Sequence, residues 1–112
     1  MDYFVHITTQ AEWEAAQRAG EYRAPSLERE GFIHLSRPEQ VLAVANRFYR
    51  GLEGAVLLWI EPQKLQGEIR WESADEELFP HLYASLNLDA VPAVTPLIPA
   101  EDGSYQSLSG PG

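Results

Sequence analysis

Residues 55–60, with the sequence Ala-Val-Leu-Leu-Trp-Ile, form an unbroken apolar run of strand length directly after Gly54. A run this short between turn residues is typical of a strand, and its lack of polar alternation indicates burial on both faces. We therefore expect residues 55–60 to be the central strand of a sheet.

Two helices are predicted before this run. Thr9 is followed three residues later by Glu12, and Ser36 is followed three residues later by Glu39. This spacing is that of a capping box, so Thr9 and Ser36 are the expected N-caps. The expected ends are the glycines Gly20 and Gly51.

Further strands are predicted on both sides of the central run. Residues 3–8 and 32–35 are rich in aromatic and β-branched side chains, and residues 68–72 are a plausible partner strand. Residues 79–86 are ambiguous between strand and turn, and the prolines within 91–98 allow at most an edge strand. The segments predicted as loops are 21–31 and the acidic 73–77. These elements predict an α+β fold with two helices and small mixed or antiparallel sheets.

The chain length predicts one domain. The sequence has 112 residues, which is the usual size of a single hydrophobic core. We expect residues 1–106 to form a single globular domain. Residues 107–112 are Ser, Leu, Gly and Pro only, which predicts a flexible C-terminal tail.

Composition excludes several classes of protein. The sequence has no cysteine, which excludes disulfides and thiolate chemistry. Lys+Arg number 8 and Asp+Glu 17, so the net charge of −9 disfavours nucleic acid as a partner. No apolar run approaches the ~20 residues that a membrane span needs, and residues 1–9 do not resemble a signal peptide. We expect a cytoplasmic protein with no membrane partner; the sequence does not indicate its oligomeric state.

The histidines share one local pattern. Each of the three follows a phenylalanine by two positions and precedes a hydroxyl residue by two positions. The three sets are Phe4, His6 and Thr8; Phe32, His34 and Ser36; and Phe79, His81 and Tyr83. Because residues two apart on a strand share a face, each set predicts a strand face made of an aromatic ring, an imidazole and a hydroxyl.

This pattern predicts a histidine-lined cleft. We expect His6 and His34 on adjacent strands with their rings on the same side of the sheet, because the opposite faces are aliphatic. Glu72 ends a predicted strand and adds a carboxylate. The residues expected to line one pocket are His6, His34, Glu72, His81 and Tyr83, with Phe32 or Trp71 in its wall.

Plainer interpretations remain open for the same residues. A histidine among apolar side chains is often a core residue whose ring is simply hydrogen-bonded. Glu72 could be an ion-pair partner of Arg70, and Ser36 is better explained as an N-cap than as a nucleophile. His34, Glu72 and His81 could together hold a metal ion, although no pair of them has the usual ligand spacing within one element.

Two motifs carry a family resemblance. Gly31-Phe32-Ile33-His34-Leu35-Ser36 and Phe79-Pro80-His81-Leu82-Tyr83 resemble segments of a bacterial family known as domain of unknown function 952. The resemblance covers nearly the whole chain and includes the opening strand with His6, Trp13, Gly20-x-Tyr22, Ser26-Leu27 and Arg70-x-Glu72. A glycine commonly follows the tyrosine of the second motif, whereas this chain has Ala84.

The resemblance implies a fold similar to that of ADP-ribosyltransferases and RNA 2′-phosphotransferases. Such proteins bind NAD or ADP-ribose in a cleft between two small sheets. The similarity would place His6 at a ribose, His34 on the neighbouring cleft strand, and Glu72 or His81 near the polar catalytic group. Similarity at the level of the fold alone does not establish chemistry.

These observations lead to one main hypothesis and two alternatives. The main hypothesis is a cleft that binds an NAD-like or other phosphorylated small molecule, with transfer or hydrolysis at a ribose. The assigned catalytic residues are His34, Glu72 and His81, and the assigned substrate-binding residues are His6, Phe32, Ser36 and Tyr83. The alternatives are a non-catalytic module that binds a metabolite or peptide, and a metal-dependent protein that uses His34, Glu72 and His81.

Overall fold

The computed structural model describes residues 2–110 of the chain. This part contains eight strands and three α-helices. The strands are β1 Phe4–Thr9, β2 Glu21–Tyr22, β3 Ile33–His34, β4 Ala55–Ile60, β5 Ile69–Ala74, β6 Glu77–Leu82, β7 Leu86–Asn87 and β8 Ala93–Pro96. The helices are α1 Gln10–Ala19, α2 Pro25–Glu30 and α3 Pro38–Phe48. The predicted α+β class is confirmed.

The strands form three antiparallel sheets. One has the order β1-β4-β8, a second has the order β3-β6-β5, and β2 pairs with β7. The two larger sheets are joined where Val5 and Ser36 exchange backbone hydrogen bonds of 2.8 and 2.9 Å. This junction brings the start of β1 beside the end of β3.

Strand β4 separates two hydrophobic cores. Val56, Leu58 and Ile60 pack into the first core, together with Trp13 of α1. The second core contains the alternate residues of β4, which are Ala55, Leu57 and Trp59. Every residue of β4 is buried, so the predicted central strand is confirmed. Fully burying one such aliphatic side chain contributes about 1.5–3 kcal/mol, which makes this strand the main apolar support of the fold.

The prediction of two helices was wrong, because residues 21–31 are not a loop. They contain β2 and the six-residue helix α2, which begins at Pro25. Gly31 follows the helix and has the left-handed backbone conformation that ends it. Both elements are too short to show hydrophobic periodicity. They are held by tertiary contacts, such as the pairing of β2 with β7.

The first predicted N-cap is confirmed and the second is wrong. Thr9 accepts a hydrogen bond of 3.1 Å from the backbone N–H of Glu12. Helix α3, however, is capped at Arg37, whose backbone N–H donates to the side-chain oxygen of Gln40 at 2.9 Å. Ser36 remains extended because it pairs with Val5.

One of the two predicted helix ends is confirmed and the other is wrong. Gly20 closes α1 in the left-handed conformation, with φ 90°, as expected. Helix α3 ends at Phe48, before the predicted Gly51.

The acidic segment after β5 is a tight hairpin turn. Asp75 and Glu76 have φ values of 51° and 69°, which is the geometry that twisted two-residue hairpins require. The carboxylate of Asp75 lies 2.7 Å from the guanidinium of Arg47, so the turn is attached to the end of α3. The ambiguous residues 79–86 belong mainly to β6 and the link to β7, and β8 is the edge strand expected for 91–98.

Ala84 packs closely against Gly67. A Cβ added to Gly67 would lie 2.4 Å from the Cβ of Ala84, so a larger residue cannot occupy position 67 without a shift. Ala84 itself has no positive φ, so the residue that replaces the family's usual glycine causes no backbone strain.

The C-terminal segment leaves one prediction untested. Residues 107–110 have no regular secondary structure, and residues 111–112 lie outside the described part of the chain. The flexible tail and the boundary at residue 106 stay predictions. Across residues 2–110, no helix combines the length and apolar character needed to cross a membrane.

Candidate functional site

A carboxylate–imidazole pair lies across the β5–β6 hairpin. Antiparallel pairing places Arg70 opposite His81 and Glu72 opposite Phe79, so Glu72 and His81 are diagonal neighbours. Nδ1 of His81 lies 2.9 Å from Oε1 of Glu72 and donates its hydrogen to that oxygen. The hydroxyl of Tyr83 donates to the same oxygen.

These hydrogen bonds fix the charge of Glu72. The bond from Tyr83 and then the bond from His81 hold the pKa of Glu72 below its ordinary value. The bond to Glu72 in turn raises the pKa of Tyr83. The guanidinium carbon of Arg70 lies 4.4 Å from the centre of the Tyr83 ring and adds positive charge nearby. Glu72 is therefore a carboxylate near neutral pH, and Tyr83 remains a hydrogen-bond donor.

Phe32 orders the aromatic rings around this pair. Its ring stacks on the ring of His81 at 4.2 Å with an interplanar angle of 11°. It also contacts the rings of His34 at 4.8 Å and Tyr83 at 5.2 Å. His34 and His81 are opposite each other in the β3–β6 pairing, with ring centres 5.2 Å apart. The rings of Phe32 and His34 thus pack on the imidazole of His81 and hold it in one orientation.

The second nitrogen of His81 is available for chemistry. Within residues 2–110, Nε2 of His81 has no hydrogen-bond partner and is not one of the fully enclosed polar atoms. His81 itself is one of the residues that line a pocket. Because Nδ1 carries the hydrogen given to Glu72, Nε2 is the nitrogen that can accept a proton.

This pocket, which we call the aromatic pocket, has a volume of about 380 Å³ and walls that are mostly apolar. It lies between α3 and the β3–β6–β5 sheet, and the Arg47–Asp75 ion pair joins these two walls. Its lining residues are His34, Leu35, Ser36, Val44, Phe48, Tyr49, Ala74, Asp75, Phe79 and His81.

A second pocket, which we call the polar pocket, lies on the other side of His34. It has a volume of about 360 Å³ and is bordered by β1, α1 and α2. Its lining residues are His6, Ile7, Thr8, Thr9, Glu12, Tyr22, Ala24, Pro25, Ser26, Arg29, Glu30, His34, Tyr49 and Leu52. His34 and Tyr49 line both pockets, so the two pockets are neighbours, and we refer to them together as the cleft.

His6 belongs to the polar pocket and is held there by neutral partners. Its Nδ1 donates to the backbone carbonyl of His34 at 2.6 Å, and its Nε2 lies 2.8 Å from the hydroxyl of Tyr22. Burial lowers the pKa of His6 to about 4, so its ring is uncharged at neutral pH. Burial also raises the pKa of Tyr22.

His6 is near His34 but not on a paired strand. The strands β1 and β3 belong to different sheets that meet at the Val5–Ser36 bridge, so the prediction that they are neighbouring strands of one sheet was wrong. The pattern around the histidines does not reveal strand partners, because pairing depends on contacts far apart in sequence. His34 instead neighbours His81, and its Nε2 lies 3.2 Å from the carboxylate of Glu30.

Most of the predicted site residues lie close together. The cluster comprises His34, Glu72, His81, Phe32 and Tyr83. Of these, His34 and His81 line the aromatic pocket together with Ser36, whereas Phe32, Glu72 and Tyr83 lie behind them and are not lining residues. Trp71 is elsewhere, since its ring contacts Phe4 at 5.5 Å and Arg37 at 5.9 Å. The catalytic and binding roles of these residues stay predictions.

Several residues of the cleft were not predicted from the sequence. Tyr22 lies in the segment expected to be a loop, and Glu12 was assigned only to a capping box. Phe48 and Tyr49 end α3, where their side chains had been interpreted only as part of a helix face. Tyr22 follows Gly20 in a motif of the family resemblance, which was the only available signal for it.

The metal-dependent alternative has no geometric support. Among residues 2–110, no three His, Asp or Glu side chains are arranged to hold a metal ion. In the proposed set, Nδ1 of His81 is already engaged by Glu72.

Comparison with known proteins identifies the family. Residues 7–94 match the family described as "Protein of unknown function (DUF952)", and the chain belongs to this family. The crystal structure of protein CC0527 from Caulobacter crescentus is similar, with a TM-score of 0.85 and 35% identity over 93% of each chain. The solution NMR structure of CC0527 has a TM-score of 0.79 and 34% identity, over 93% of this chain and 91% of the other. No curated protein matches the chain.

Proposed function

We propose that this member of the DUF952 family binds a nucleotide-like small molecule in its cleft, and that the Glu72–His81 pair acts on a hydroxyl group there. The observation that carries the proposal is the carboxylate-oriented imidazole of His81, a residue that lines the aromatic pocket and whose second nitrogen has no partner among residues 2–110. An uncharged nitrogen in that position accepts a proton as a general base.

The cleft has the size and composition for such a ligand. Its two pockets, about 380 and 360 Å³, meet at His34 and Tyr49, and ligand sites of small molecules usually have several hundred cubic ångströms. The aromatic pocket is mainly apolar and the polar pocket is rich in hydrogen-bonding groups. This division suits a ligand with an aromatic part and a hydroxylated part, as in NAD or ADP-ribose.

Exposed aromatic rings support recognition of a flat ring. Phe48 is 64% exposed although it lines the aromatic pocket, and Phe79 lines the same pocket. The ring of Phe48 offers a flat apolar surface at the edge of this pocket, with the guanidinium carbon of Arg47 5.2 Å from its centre. A nucleobase or nicotinamide ring packed on Phe48 would bury this surface.

The catalytic step is a proton transfer at a ligand hydroxyl or water. The oxygen gives its proton to Nε2 of His81, and the Glu72 carboxylate balances the positive charge that forms on the ring. The oxygen then attacks C1′ of the ribose, and the bond from C1′ to its leaving group, nicotinamide in the case of NAD, breaks. The leaving group departs with the bonding electron pair, and the proton on His81 passes to solvent, which gives transfer or hydrolysis at the ribose. His34, 5.2 Å from His81 between ring centres, is placed to contact the same group.

Binding and turnover assays with NAD and ADP-ribose test the proposal. We expect calorimetry to show binding that His81→Ala weakens by about tenfold, the usual loss for one hydrogen bond in a site. Glu72→Gln keeps a side chain that can accept from His81 but removes the charge. It should retain most of the affinity and lose about 100-fold or more in turnover.

Glu68→Gln is the matched control. Glu68 is an exposed carboxylate that pairs with Arg70 at 3.1 Å and does not line the aromatic pocket. It should behave as the unchanged protein. Binding without turnover in any condition would favour the non-catalytic module, and equal effects of Glu72→Gln and Glu68→Gln would contradict the role of the pair.

A further inference from the structure

The polar pocket contains a hydrogen-bonded chain of four side chains. Nε2 of His6 lies 2.8 Å from the hydroxyl of Tyr22, which lies 3.1 Å from the hydroxyl of Thr8. The hydroxyl of Thr8 lies 2.8 Å from a carboxylate oxygen of Glu12. His6, Thr8 and Tyr22 are buried and Glu12 is exposed, so the chain runs from the interior to the mouth of the pocket.

This chain has one hydrogen fewer than it has contacts. Nδ1 of His6 must carry the ring hydrogen, because its partner is a carbonyl oxygen that cannot donate. Nε2 is then bare, and an ionised Glu12 carries no hydrogen. Tyr22 and Thr8 supply one hydrogen each, so two hydrogens serve three contacts. One contact is left between two lone pairs, which is costly in a buried network.

A proton does not fill the gap at neutral pH. Burial lowers the pKa of His6 to about 4, so the ring stays neutral. The charged or titratable groups that share the pocket with His6 are Glu12, Arg29, Glu30, His34, Tyr22 and Tyr49. Two carboxylates face one guanidinium, so the pocket favours a positive or neutral guest over an anion.

A donor placed on Glu12 would complete the chain. If the carboxylate accepts a hydrogen from a ligand, Thr8 no longer has to donate to it. Thr8 can then donate to Tyr22, and Tyr22 can donate to His6. The exposed Glu12 carboxylate turns from Thr8 to the ligand, and each of the two remaining contacts, Thr8–Tyr22 and Tyr22–His6, then has one hydrogen.

We propose that the polar pocket binds a hydrogen-bond-donating group, an ammonium or hydroxyl of the ligand, on the carboxylate of Glu12, and that it rejects phosphate. The inference rests on the proposed function only in assigning the hydroxylated part of the ligand to this pocket. Phosphate groups of the same ligand would lie outside it.

Nitrogen-15 NMR of histidine-labelled protein at pH 7 tests this directly. The probe is serinol, which carries one ammonium and two hydroxyl groups, and inorganic phosphate is the anionic comparison. We expect His6 to have its hydrogen on Nδ1, and serinol to shift the Nε2 signal as Tyr22 becomes a full donor. Phosphate at the same concentration should leave the signal unchanged.

Two variants separate the site from general charge effects. Glu12→Gln should weaken serinol binding by about tenfold or more, because a charged acceptor is lost. Glu14→Gln, on the exposed side of the same helix, should bind serinol as the unchanged protein does. Thermal unfolding of both variants checks that they are folded.

The outcomes are distinct from those of the first proposal. A His6 signal that does not respond to serinol, that responds to phosphate, or that responds equally in Glu12→Gln would overturn this inference. None of these results depends on whether NAD or ADP-ribose binds, or on the Glu72–His81 pair.

Discussion

His6 and His81 occupy similar settings in the sequence and opposite ones in the cleft. Each follows a phenylalanine on a strand, and their exposures are 7% and 6%. His6 in the polar pocket contacts a carbonyl and a phenol, both neutral. His81 at the aromatic pocket contacts a carboxylate and has one nitrogen without a partner among residues 2–110. Two imidazoles of equal burial therefore differ in their partners: neutral groups engage both nitrogens of His6, whereas a carboxylate orients His81.

The largest expected difference is in stability. His6→Ala should lower the free energy of unfolding by about 3–5 kcal/mol, since it leaves a buried cavity and removes two hydrogen bonds, to the carbonyl of His34 and the hydroxyl of Tyr22. His34→Ala is the comparison, because its side chain is half exposed. Its loss should be about 1 kcal/mol or less. Urea unfolding measures both, and similar losses would mean that His6 is not the structural histidine.

The free energy of unfolding should also depend on pH through the buried His6. Folded His6 has a pKa of about 4, against 6.5 as the ordinary value. Between these values the unfolded chain binds more protons, so stability should fall as the pH falls from about 6.5 to 4, by up to about 3 kcal/mol. The lowered pKa of Glu72 affects stability only at pH values below about 4.5, the ordinary pKa of that carboxyl group.

His6→Asn isolates this effect. Its amide can still donate to the carbonyl of His34 but has no titration in this range. We expect the variant to be less stable at pH 7 and nearly independent of pH between 4.5 and 6.5. A pH dependence equal to that of the unchanged protein would assign the effect to another group.

Two tyrosines offer a matched pair of smaller substitutions. Tyr22→Phe removes a buried hydroxyl that contacts His6 and Thr8. It should cost about 1–2 kcal/mol in urea unfolding. Tyr83→Phe removes a hydroxyl at a solvent-accessible carboxylate and should cost less. A larger loss of unfolding free energy in Tyr83→Phe than in Tyr22→Phe would mean that the buried hydroxyl of Tyr22 contributes little to stability.

The smallest expected effect is on the charge of Glu72. The hydrogen bond from Tyr83 is the largest cause of the lowered pKa of Glu72. Tyr83→Phe should therefore raise that pKa toward its ordinary value, as seen by carbon-13 NMR of the side-chain carboxyl. Tyr22→Phe should leave it unchanged.

The sequence predicted elements that depend on local patterns. Residues 55–60 were expected as a doubly buried strand, and β4 is one. Thr9 was expected to cap a helix, and it does. Ser36 was not predicted correctly, because its backbone pairs with Val5, 31 positions away in the chain. A local capping preference cannot compete with two backbone hydrogen bonds between sheets.

The candidate site was only partly predictable. Alternation on the strands was sufficient to select His34 and His81, whereas Glu72 was chosen as the end of a strand and in fact lies within β5. The same reasoning placed His6 and His81 in one pocket, but His6 lines the polar pocket and His81 lines the aromatic pocket, and His34 lines both. Phe-x-His motifs fix the face of a strand on which a ring lies, and they carry no information on which strand is its neighbour.

By itself, the sequence determined the α+β class, the central strand, the absence of thiol chemistry and the histidines, aromatic rings and Glu72 from which a site can be built. Only the tertiary structure decided that β1 and β3 belong to different sheets, and that His81 meets Glu72 while His6 meets Tyr22. The physical reason is the distance along the chain over which each effect acts. Propensity and periodicity act over a few residues, whereas the charge state of a buried imidazole is set by partners that long-range packing brings within about 3 Å.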